Sequence, residues 1–484
     1  MKTETIQIRD LSTGVIQGVD NNLAPKNSVA FALNMIFDKN IGRATTRQGS
    51  ALVGAQITDT KSILGLHQFI LSAGTKYLLA VIDGTPPQIY RLESGTWTTT
   101  GADGQMTAGA KVRFITYLDN VLAIDGTLAK TSADGTDWVV TGGNLDIANC
   151  PKGKFAIVWN DRVYIGGVAG NLDRIYYSSI PTAGAISWTS GNGYIDIEPY
   201  SGQGNLTGFG KVPGYLLAFK ERAMKRWNGS STFPDDLMNI GAISQEAIVQ
   251  TRRTVMFFSA SSKKTLGIYE TNGQEVKKIS RPIQDIIDAI PSASYASIAG
   301  YSDGEQVIFQ IGNVTYDGIA YTNVALHYHL DTQAWSVWSY PTKHLVFSQY
   351  IDGTDLKTVA GDNDGQVIQL FTGTTDAITG STAIPIEYAL QYQPMDLGAR
   401  SVLKEVSRIS TLTKNGKQGR FMARVDLEGG FENIGSINDD FENEFQAQLR
   451  GHTFEFRISG ITNTETEIIG FDIIRPEINE TIKT

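Results

Sequence analysis

The chain has 484 residues, a mass of 52.7 kDa and a formal net charge of -9. At roughly 150 residues per domain this length predicts about three domains. Hydrophobic residues make up 41% of the chain, which is enough for a buried core and excludes wholesale disorder. The acidic surplus argues against a surface devoted to phosphate contacts, because nucleic-acid affinity depends on clustered Lys and Arg.

The N-terminus and the cysteine content predict where the protein is made. Cys150 is the single cysteine, so an intrachain disulfide is excluded and a cysteine-based zinc site is not expected. Residues 1–5 lead into no apolar signal core, and no apolar run approaches the ~18 residues that span a bilayer. We therefore expect a soluble protein made without a secretion signal and without a membrane partner.

Helical periodicity is scarce along the chain. It predicts two short helices, residues 28–35 and residues 283–290, the second ended by Pro291. Elsewhere, short apolar or alternating runs are interrupted by Gly, Asn, Asp and Pro, as in residues 77–84 and 112–126. Together with 50 glycines and 10% aromatic residues, this pattern predicts an all-β, hairpin-rich fold.

A polar turn followed by an aromatic residue recurs along the chain. The clearest copies are residues 92–97, 132–138 and 330–335, each ending in Trp. Trp97, Trp138, Trp188 and Trp227 follow one another at about the 40–50 residues that a four-stranded propeller blade requires. We predict a β-propeller of six or seven blades over residues 55–380, since stacking blades around an axis covers both faces of each sheet. The alternative is an irregular stack of antiparallel sheets.

Both ends of the chain differ from the repeats. After residue 380 the alternating runs lengthen, as in residues 384–392 and 453–459, and the turn-aromatic marker is lost. We predict a C-terminal β-sandwich over residues 381–484, with a boundary in the polar stretch 372–382. Residues 1–54 are predicted to form a short N-terminal arm with a first strand.

Charge is segregated in the predicted sandwich. Most charged residues at positions 404–424 are basic, and all charged residues at positions 426–444 are acidic. Opposite-sign patches on one module can meet head to tail in a ring, so we predict oligomer or partner contacts there. The predicted contact residues are Lys404, Arg408, Lys414, Lys417, Arg420, Arg424, Glu432, Asp439, Asp440 and Glu442. The alternative is two solvated faces that never meet.

Few residues have the spacing of a chemical site. His327 and His329 would share one strand face, as metal ligands sometimes do, but no third ligand accompanies them, so a packed pair is favoured. Residues 362–365 begin like a calcium loop but lack the Glu at its twelfth position, which favours a hairpin tip. Nucleophile-elbow and phosphate-loop motifs are absent. We predict no enzymatic activity, no cofactor and no metal; a paired-carboxylate glycosidase site is the open alternative, because the separation of two carboxylates in space is not visible in sequence.

Two local features have structural interpretations. Residues 132–138 resemble the Asp-box of sialidase-type propellers, a motif that stabilises a hairpin and performs no chemistry. Between Gly273 and Trp335 the repeat is unusually long, and residues 312–323 are the candidate insertion, which could carry contacts. A longer hairpin is the equally weighted alternative.

The N-terminal segment carries a family resemblance. A Gly-rich stretch at residues 14–25 ends in Pro25, then an "Ala-x-Asn" element occurs at residues 32–34 and an "Arg-x-Gly" element at residues 47–49. This order resembles the opening of tail hub and nozzle proteins of short-tailed bacteriophages. The layout of blades followed by a sandwich is similar to the packaged-DNA stabilisation proteins of that class.

The resemblance implies a structural virion protein of the phage tail, assembled in the host cytoplasm. It implies a ring of six copies below the portal that extends the DNA channel, retains the packaged genome and passes it during ejection. Its partners would be itself, the portal or an adaptor, distal tail proteins, and DNA that passes without specific binding. An acidic channel wall repels phosphates, so we expect a net negative lumen.

Two other functions remain open from the sequence. One is a glycan-binding or glycan-cleaving propeller of the receptor-binding or depolymerase type, which should show an aromatic-lined, carboxylate-bearing mouth. The other is a scaffolding propeller for protein partners. Neither alternative requires the tail-protein resemblance.

Overall fold

The N-terminal segment contributes short strands to sheets that are completed much later in the chain. The computed structural model describes residues 5–18, 23–38, 42–58, 60–197, 202–230, 235–397, 401–416, 418–438 and 441–478. The first strands are β1 (Thr5–Ile8), β2 (Gly14–Val15), β3 (Ser28–Leu33), β4 (Met35–Asp38), β5 (Arg43–Thr46) and β6 (Ser50–Leu52).

The middle of the chain forms seven successive antiparallel sheets, called blades 1 to 7 here. Blade 1 contains β7 (Ile63–Ile70), β8 (Lys76–Ile82), β9 (Gln88–Glu93) and β10 (Thr96–Thr99); blade 2 contains β11 (Arg113–Tyr117), β12 (Asn120–Ile124) and β13 (Ala129–Ser132); blade 3 contains β14 (Phe155–Trp159), β15 (Arg162–Gly166), β16 (Arg174–Tyr177) and β17 (Gly193–Asp196); blade 4 contains β18 (Leu206–Val212), β19 (Tyr215–Lys220), β20 (Met224–Trp227) and β21 (Asp235–Met238). Blade 5 contains β22 (Ile248–Gln250), β23 (Val255–Ser259), β24 (Gly267–Thr271) and β25 (Val276–Lys278); blade 6 contains β26 (Ala299–Ser302), β27 (Gln306–Tyr316), β28 (Ile319–His329) and β29 (Trp335–Ser339); blade 7 contains β30 (His344–Asp352), β31 (Asp355–Asp362) and β32 (Val367–Leu370).

The seven blades close into a ring. Their innermost strands contact one another in the order β7, β11, β14, β18, β22, β26, β30, and β30 returns to β7. The early strand β6 pairs with β32 and becomes the fourth strand of blade 7, so one sheet holds both ends of the propeller. The fold is therefore a β-propeller, as predicted, with seven blades. We call the face where the innermost strands begin the top face and the opposite face the bottom face.

Three of the recurring tryptophans join their blade to the segment that leads into it. The indole of Trp97 donates to the carbonyl of Val53 at 2.9 Å, just before blade 1. Trp188 of blade 3 and Trp335 of blade 6 make equivalent bonds to the segments that precede their blades. Each of these three rings buries apolar area while its N–H is satisfied, whereas the buried indole N–H of Trp138 in blade 2 has no such partner.

The C-terminal part forms a hairpin and a β-sandwich. The hairpin is β33 (Asp376–Ile378) and β34 (Ser381–Ile384), and the later strands are β35 (Ile386–Tyr392), β36 (Lys404–Lys414), β37 (Gly419–Val425), β38 (Glu432–Ile437), β39 (Glu442–Gly451), β40 (Phe454–Thr462) and β41 (Glu467–Ile478). One sheet has the order β39-β36-β41-β5-β4, with β1 also paired to β41. Phe421, Phe456 and Phe471 pack between the two sheets.

The second sheet of the sandwich is continuous with blade 6. Its order is β26-β27-β28-β29-β3-β35-β40-β37-β38, so β3 connects the outer strand of blade 6 to the sandwich. Strands β1 to β5 of the segment predicted as an N-terminal arm thus lie in these two sheets. Because shared backbone hydrogen bonds cross from blade 6 into the sandwich, the propeller and the sandwich form one continuous β-structure.

Helices are short in the described residues. The predicted helix at 283–290 is confirmed as α1 (Gln284–Asp288), and 3-10 turns occupy Ala102–Gly104, Ile147–Asn149, Lys263–Thr265, Arg281–Ile283 and Ser292–Ser297. The prediction of a helix at 28–35 is wrong, because these residues form β3 and the start of β4. Strand β3 is buried on both faces, so nearly every position is apolar and periodicity cannot distinguish a strand from a helix. No helix of the described part has the length and apolar character to span a membrane.

Candidate functional site

The two short N-terminal motifs converge on one joint between propeller and sandwich. Asn34 of "Ala-x-Asn" accepts from Arg47 Nε at 2.9 Å and from the backbone N–H of Ser339 at 2.8 Å through Oδ1. Its amide donates to the carbonyl of Glu387 at 2.7 Å. One side chain therefore connects the N-terminal segment, the end of blade 6 and the first strand of the sandwich.

Arg47 of "Arg-x-Gly" forms the charged centre of this joint. Its guanidinium makes two parallel bonds to the Asp376 carboxylate, at 2.9 and 2.6 Å, and the side chains are only 1% and 4% exposed. The ring of Tyr340 lies 4.4 Å from the guanidinium carbon. Such a planar, bidentate pair fixes geometry as well as charge.

Gly49, the last residue of the motif, is required by close packing. A Cβ atom there would lie 1.9 Å from the carbonyl oxygen of Thr375, a distance that no side chain can occupy. The backbone of Gly49 donates to Gly373, and Thr372 donates back to Gly49. The motif residues thus act as the structural link at which the chain enters blade 7.

A polar cavity of about 560 Å³ lies in the axial channel of the propeller. Innermost strands of blades 1, 2, 6 and 7, with the segment entering blade 5, line it. Ile70 and Gln349 are exposed at its bottom end, so the cavity opens to solvent there. Ring pairs His67–Phe114 and Tyr301–Phe347 stack along its wall at centroid distances of 5.7 and 5.9 Å.

An ion pair and a side-chain hydrogen bond cross the channel at its top end. Arg113 at the start of blade 2 bonds to Glu246 at the start of blade 5 at 2.5 Å, so the contact spans the axis. Lys111 reaches from blade 2 to the carbonyl of Leu345 in blade 7 at 3.3 Å. Burial raises the pKa of Glu246, but Arg113 and Lys111 outweigh it and hold that pKa below its usual range. Side chains bridging the axis leave no passage for a nucleic-acid duplex through a single propeller.

The charged residues predicted in the sandwich have different environments. Lys404 is buried and donates to the carbonyls of Val402 and His452. Arg424 pairs with Glu455 at 2.5 Å and with Asp317 at 3.2 Å, and Arg408 pairs with Glu444 on the adjacent strand. Some of the opposite-sign charges therefore meet within one chain.

The remaining predicted contact residues divide into exposed and undescribed ones. Lys414, Arg420, Glu432 and Glu442 are exposed, and the carboxylate of Glu442 accepts from Ser410 at 2.7 Å. Arg420 and Glu432 lie at opposite ends of the β37–β38 hairpin, since Arg420 is opposite Ser436 and Glu432 is opposite Ala423. Lys417, Asp439 and Asp440 lie outside the described residues.

The histidine pair is packed within blade 6. His327 lies 2.6 Å from Gln306 Oε1 and 3.1 Å from Ser336 Oγ, and stacks on Trp338 at 3.9 Å. Burial, assisted by His329, lowers the pKa of His327 to about 3, so it stays neutral. His329 accepts from the backbone of Thr332. The described residues contain no group of three or more His, Cys, Asp or Glu placed to hold a metal ion.

The polar turns singled out from the sequence are hairpin tips. The buried carboxylate of Asp362 accepts from the backbone N–H groups of Asp364 and Gln366 at 2.9 and 2.8 Å. In the Asp-box-like turn, Ser132 Oγ accepts from Gly135, and Asp134 accepts from Thr136 and Asp137. Both turns satisfy their own backbone donors, as Asx turns do.

The candidate insertion at residues 312–323 is the far half of the long β27–β28 hairpin. Its Tyr316 and Tyr321 rings pack on Phe31 at 5.3 and 5.2 Å, and its turn residue Asp317 pairs with Arg424. It is therefore a lengthened hairpin that also carries contacts to the sandwich. Sequence reasoning missed the axial ion pair and the Arg47–Asp376 pair, because both join residues far apart in the chain.

Comparison with known proteins finds propeller folds at low similarity. No family model matches the chain, and no curated protein matches it. Among solved structures, the extracellular domain of a two component system protein from B. thetaiotaomicron aligns with 8% identity and a TM-score of 0.44, over 66% of this chain and 39% of that longer one. The Pan2 WD40 domain of Neurospora crassa aligns with 10% identity and a TM-score of 0.39, over 68% and 97%. YCF48 from Cyanidioschyzon merolae aligns with 10% identity and a TM-score of 0.37, over 66% and 98%.

Proposed function

We propose that this chain is a structural protein of a bacteriophage tail, one subunit of a six-membered ring below the portal. The ring extends the DNA channel, retains the packaged genome and passes it during ejection. The role is mechanical: the chain binds its own copies, the portal or adaptor and distal tail proteins, and it does no chemistry on DNA.

The observation that carries this proposal is the joint at Asn34, Arg47 and Gly49. The motifs that resemble tail hub and nozzle proteins are the residues that connect the propeller to the sandwich. A rigid link between two β-domains suits a part that must keep its shape under load, because relative motion of domains is otherwise the default.

Because the axis of the propeller is closed, we place the DNA channel between the subunits of the ring. Arg113 and Glu246 bridge the channel of one propeller, so a duplex would have to pass through the hole that a ring of copies encloses. The net charge of -9 suits a wall along which phosphates slide without being captured. We expect that hole to be lined by net negative charge.

The location of the protein in the particle tests the proposal. Gold-labelled antibodies against the chain should mark the head–tail vertex of particles of the phage that encodes it, at the same vertex as label against the portal. Label on peripheral fibres would contradict the proposal and support the glycan-binding alternative. A ring whose bore is lined by Lys and Arg would contradict the predicted lumen charge.

A charge exchange tests how the copies meet. Arg420→Glu should reduce incorporation into particles if its exposed cation meets the Glu432 of the next copy, and Arg420→Glu combined with Glu432→Arg should restore it. Arg450→Glu is the matched control, since it reverses an exposed charge on β39 outside the predicted set. Normal incorporation of Arg420→Glu, or failure of the exchange to restore it, would overturn this contact.

A further inference from the structure

The top end of the axial cavity carries an excess of positive charge that the tail-protein proposal does not use. Lys111, Arg113 and Lys343 act there, opposed by Glu246 and Asp83. Burial above all, together with the charges of Arg113 and Lys343 and against those of Glu246 and Asp83, lowers the pKa of Lys111 to about 8. This end is therefore cationic on a chain whose overall charge is negative.

Hydrogen-bond donors remain available at this end. The Lys111 ammonium donates to Leu345 O at 3.3 Å, and an ammonium has three donors. Asp83 directs one carboxylate oxygen to the backbone N–H of Gly109 at 3.0 Å, and Lys343 donates to Ser297 at 2.7 Å. Arg113 has five donors, of which the contact with Glu246 uses a part.

The cavity is large enough for a small molecule, and its lining includes charged and polar side chains that suit a polar one. Its volume of about 560 Å³ falls within the range of small-molecule sites. Arg113 and Glu246 line it directly, and Lys111 donates to the carbonyl of Leu345, another lining residue, so the cationic end adjoins the cavity.

We propose that Lys111 and Arg113 bind a small oxyanion, a carboxylate or a sulfate- or phosphate-like group, at the top end of this cavity. The anion supplies the negative charge and the acceptors that the cluster lacks. Charge-assisted bonds from both side chains hold it in a partly buried site, where electrostatic attraction is stronger than in water. This site is independent of where the protein lies in a particle.

Binding is coupled to protonation of Lys111. An anion beside the amine raises its pKa, so the bound state takes up a proton when the free amine is partly neutral. Affinity is therefore highest below the free pKa of about 8 and falls as the pH rises through it. A sulfate probe makes the sign clear, because sulfate itself does not titrate in this range.

Calorimetric titration of the full-length protein with sodium sulfate, at constant ionic strength with chloride as the replaced ion, tests the site. We expect saturable binding that weakens from about pH 7 to about pH 9.5. Lys111→Met should weaken it about tenfold or more, the effect of losing one charge-assisted bond. A parallel titration with acetate tells a site for carboxylates from one that requires a tetrahedral anion.

Two further variants keep the result interpretable. Lys76→Met is the matched control, since Lys76 also donates to a backbone carbonyl of blade 7, that of Gly353, at the bottom face; its affinity should equal that of the unaltered protein. Lys111→Arg should retain binding but lose the pH dependence near 8, because arginine stays charged. Absence of saturable binding to both anions, equal affinity in Lys111→Met, or an unchanged pH profile in Lys111→Arg would each overturn the proposal.

Discussion

Two ion pairs, Arg47–Asp376 at the joint and Arg408–Glu444 in the sandwich, join the same chemical groups in opposite environments. The first pair is 1% and 4% exposed and bidentate, within the joint that links the sandwich to the propeller. The second is 43% and 41% exposed, on the strands where the sequence showed segregated charge. The charge segregation in the sequence pointed to the strands of the exposed pair. The buried pair, which no sequence pattern indicated, connects the propeller to the sandwich.

Loss of the buried pair should have the largest effect. Arg47→Ala leaves the Asp376 carboxylate buried without its partner, and breaking a buried pair in this way costs about 3–5 kcal/mol. Equilibrium unfolding in urea should show a free energy of unfolding lower by that amount. A loss below about 1 kcal/mol would mean that the buried pair contributes no more to stability than an exposed pair does.

Buried histidines extend the comparison to pH. Burial lowers the pKa of His327 and of His344 from 6.5 to about 3, with a smaller contribution to His344 from the charge of Arg47. Above pH 6.5 the two histidines are neutral in both the folded and the unfolded chain. As the pH falls below 6.5, they take up protons only in the unfolded chain. Each histidine should then lower the free energy of unfolding by about 1.4 kcal/mol per pH unit.

Unfolding measured at about pH 7, 6 and 5 checks this slope. The double variant His327→Gln/His344→Gln should lose about 3 kcal/mol per pH unit of the dependence, whatever its stability at neutral pH. Carboxylates contribute equally to both proteins, so the difference in slope isolates the histidines. Identical slopes would show that these two side chains take up protons while folded.

A substitution at Gly49 separates packing from charge at the joint. In Gly49→Ala the new methyl group would meet the carbonyl oxygen of Thr375, and overpacking of this kind costs about 1–3 kcal/mol. Gly430→Ala is the matched control, because Gly430 is exposed with open space around its Cβ position. Thermal unfolding should show a lower midpoint for Gly49→Ala alone, and equal midpoints would contradict the close approach.

The repeating part of the molecule could be predicted from sequence, and its long-range part could not. Trp97 and Trp335 occupy equivalent positions because both hydrogen-bond to the segment entering their own blade, and the repeat period with its hairpin turns identifies the propeller. Arg47 and Asp376 are 329 residues apart, and no local pattern joins them. Strand β3 shows the same limit, since burial on both faces removes the alternation that would have identified it.

Loss of the exposed pair Arg408–Glu444 should lower the free energy of unfolding least among these predictions. In Arg408→Ala, water replaces the lost partner of Glu444, and exposed pairs contribute about 0–1 kcal/mol. The difference between Arg408→Ala and the unaltered protein should shrink further in high salt, because screening acts on exposed charges more than on buried ones. Urea unfolding in low and high salt checks both points. A cost near that of Arg47→Ala, independent of salt, would show that the segregated charges of the sandwich support its fold as strongly as the buried joint does.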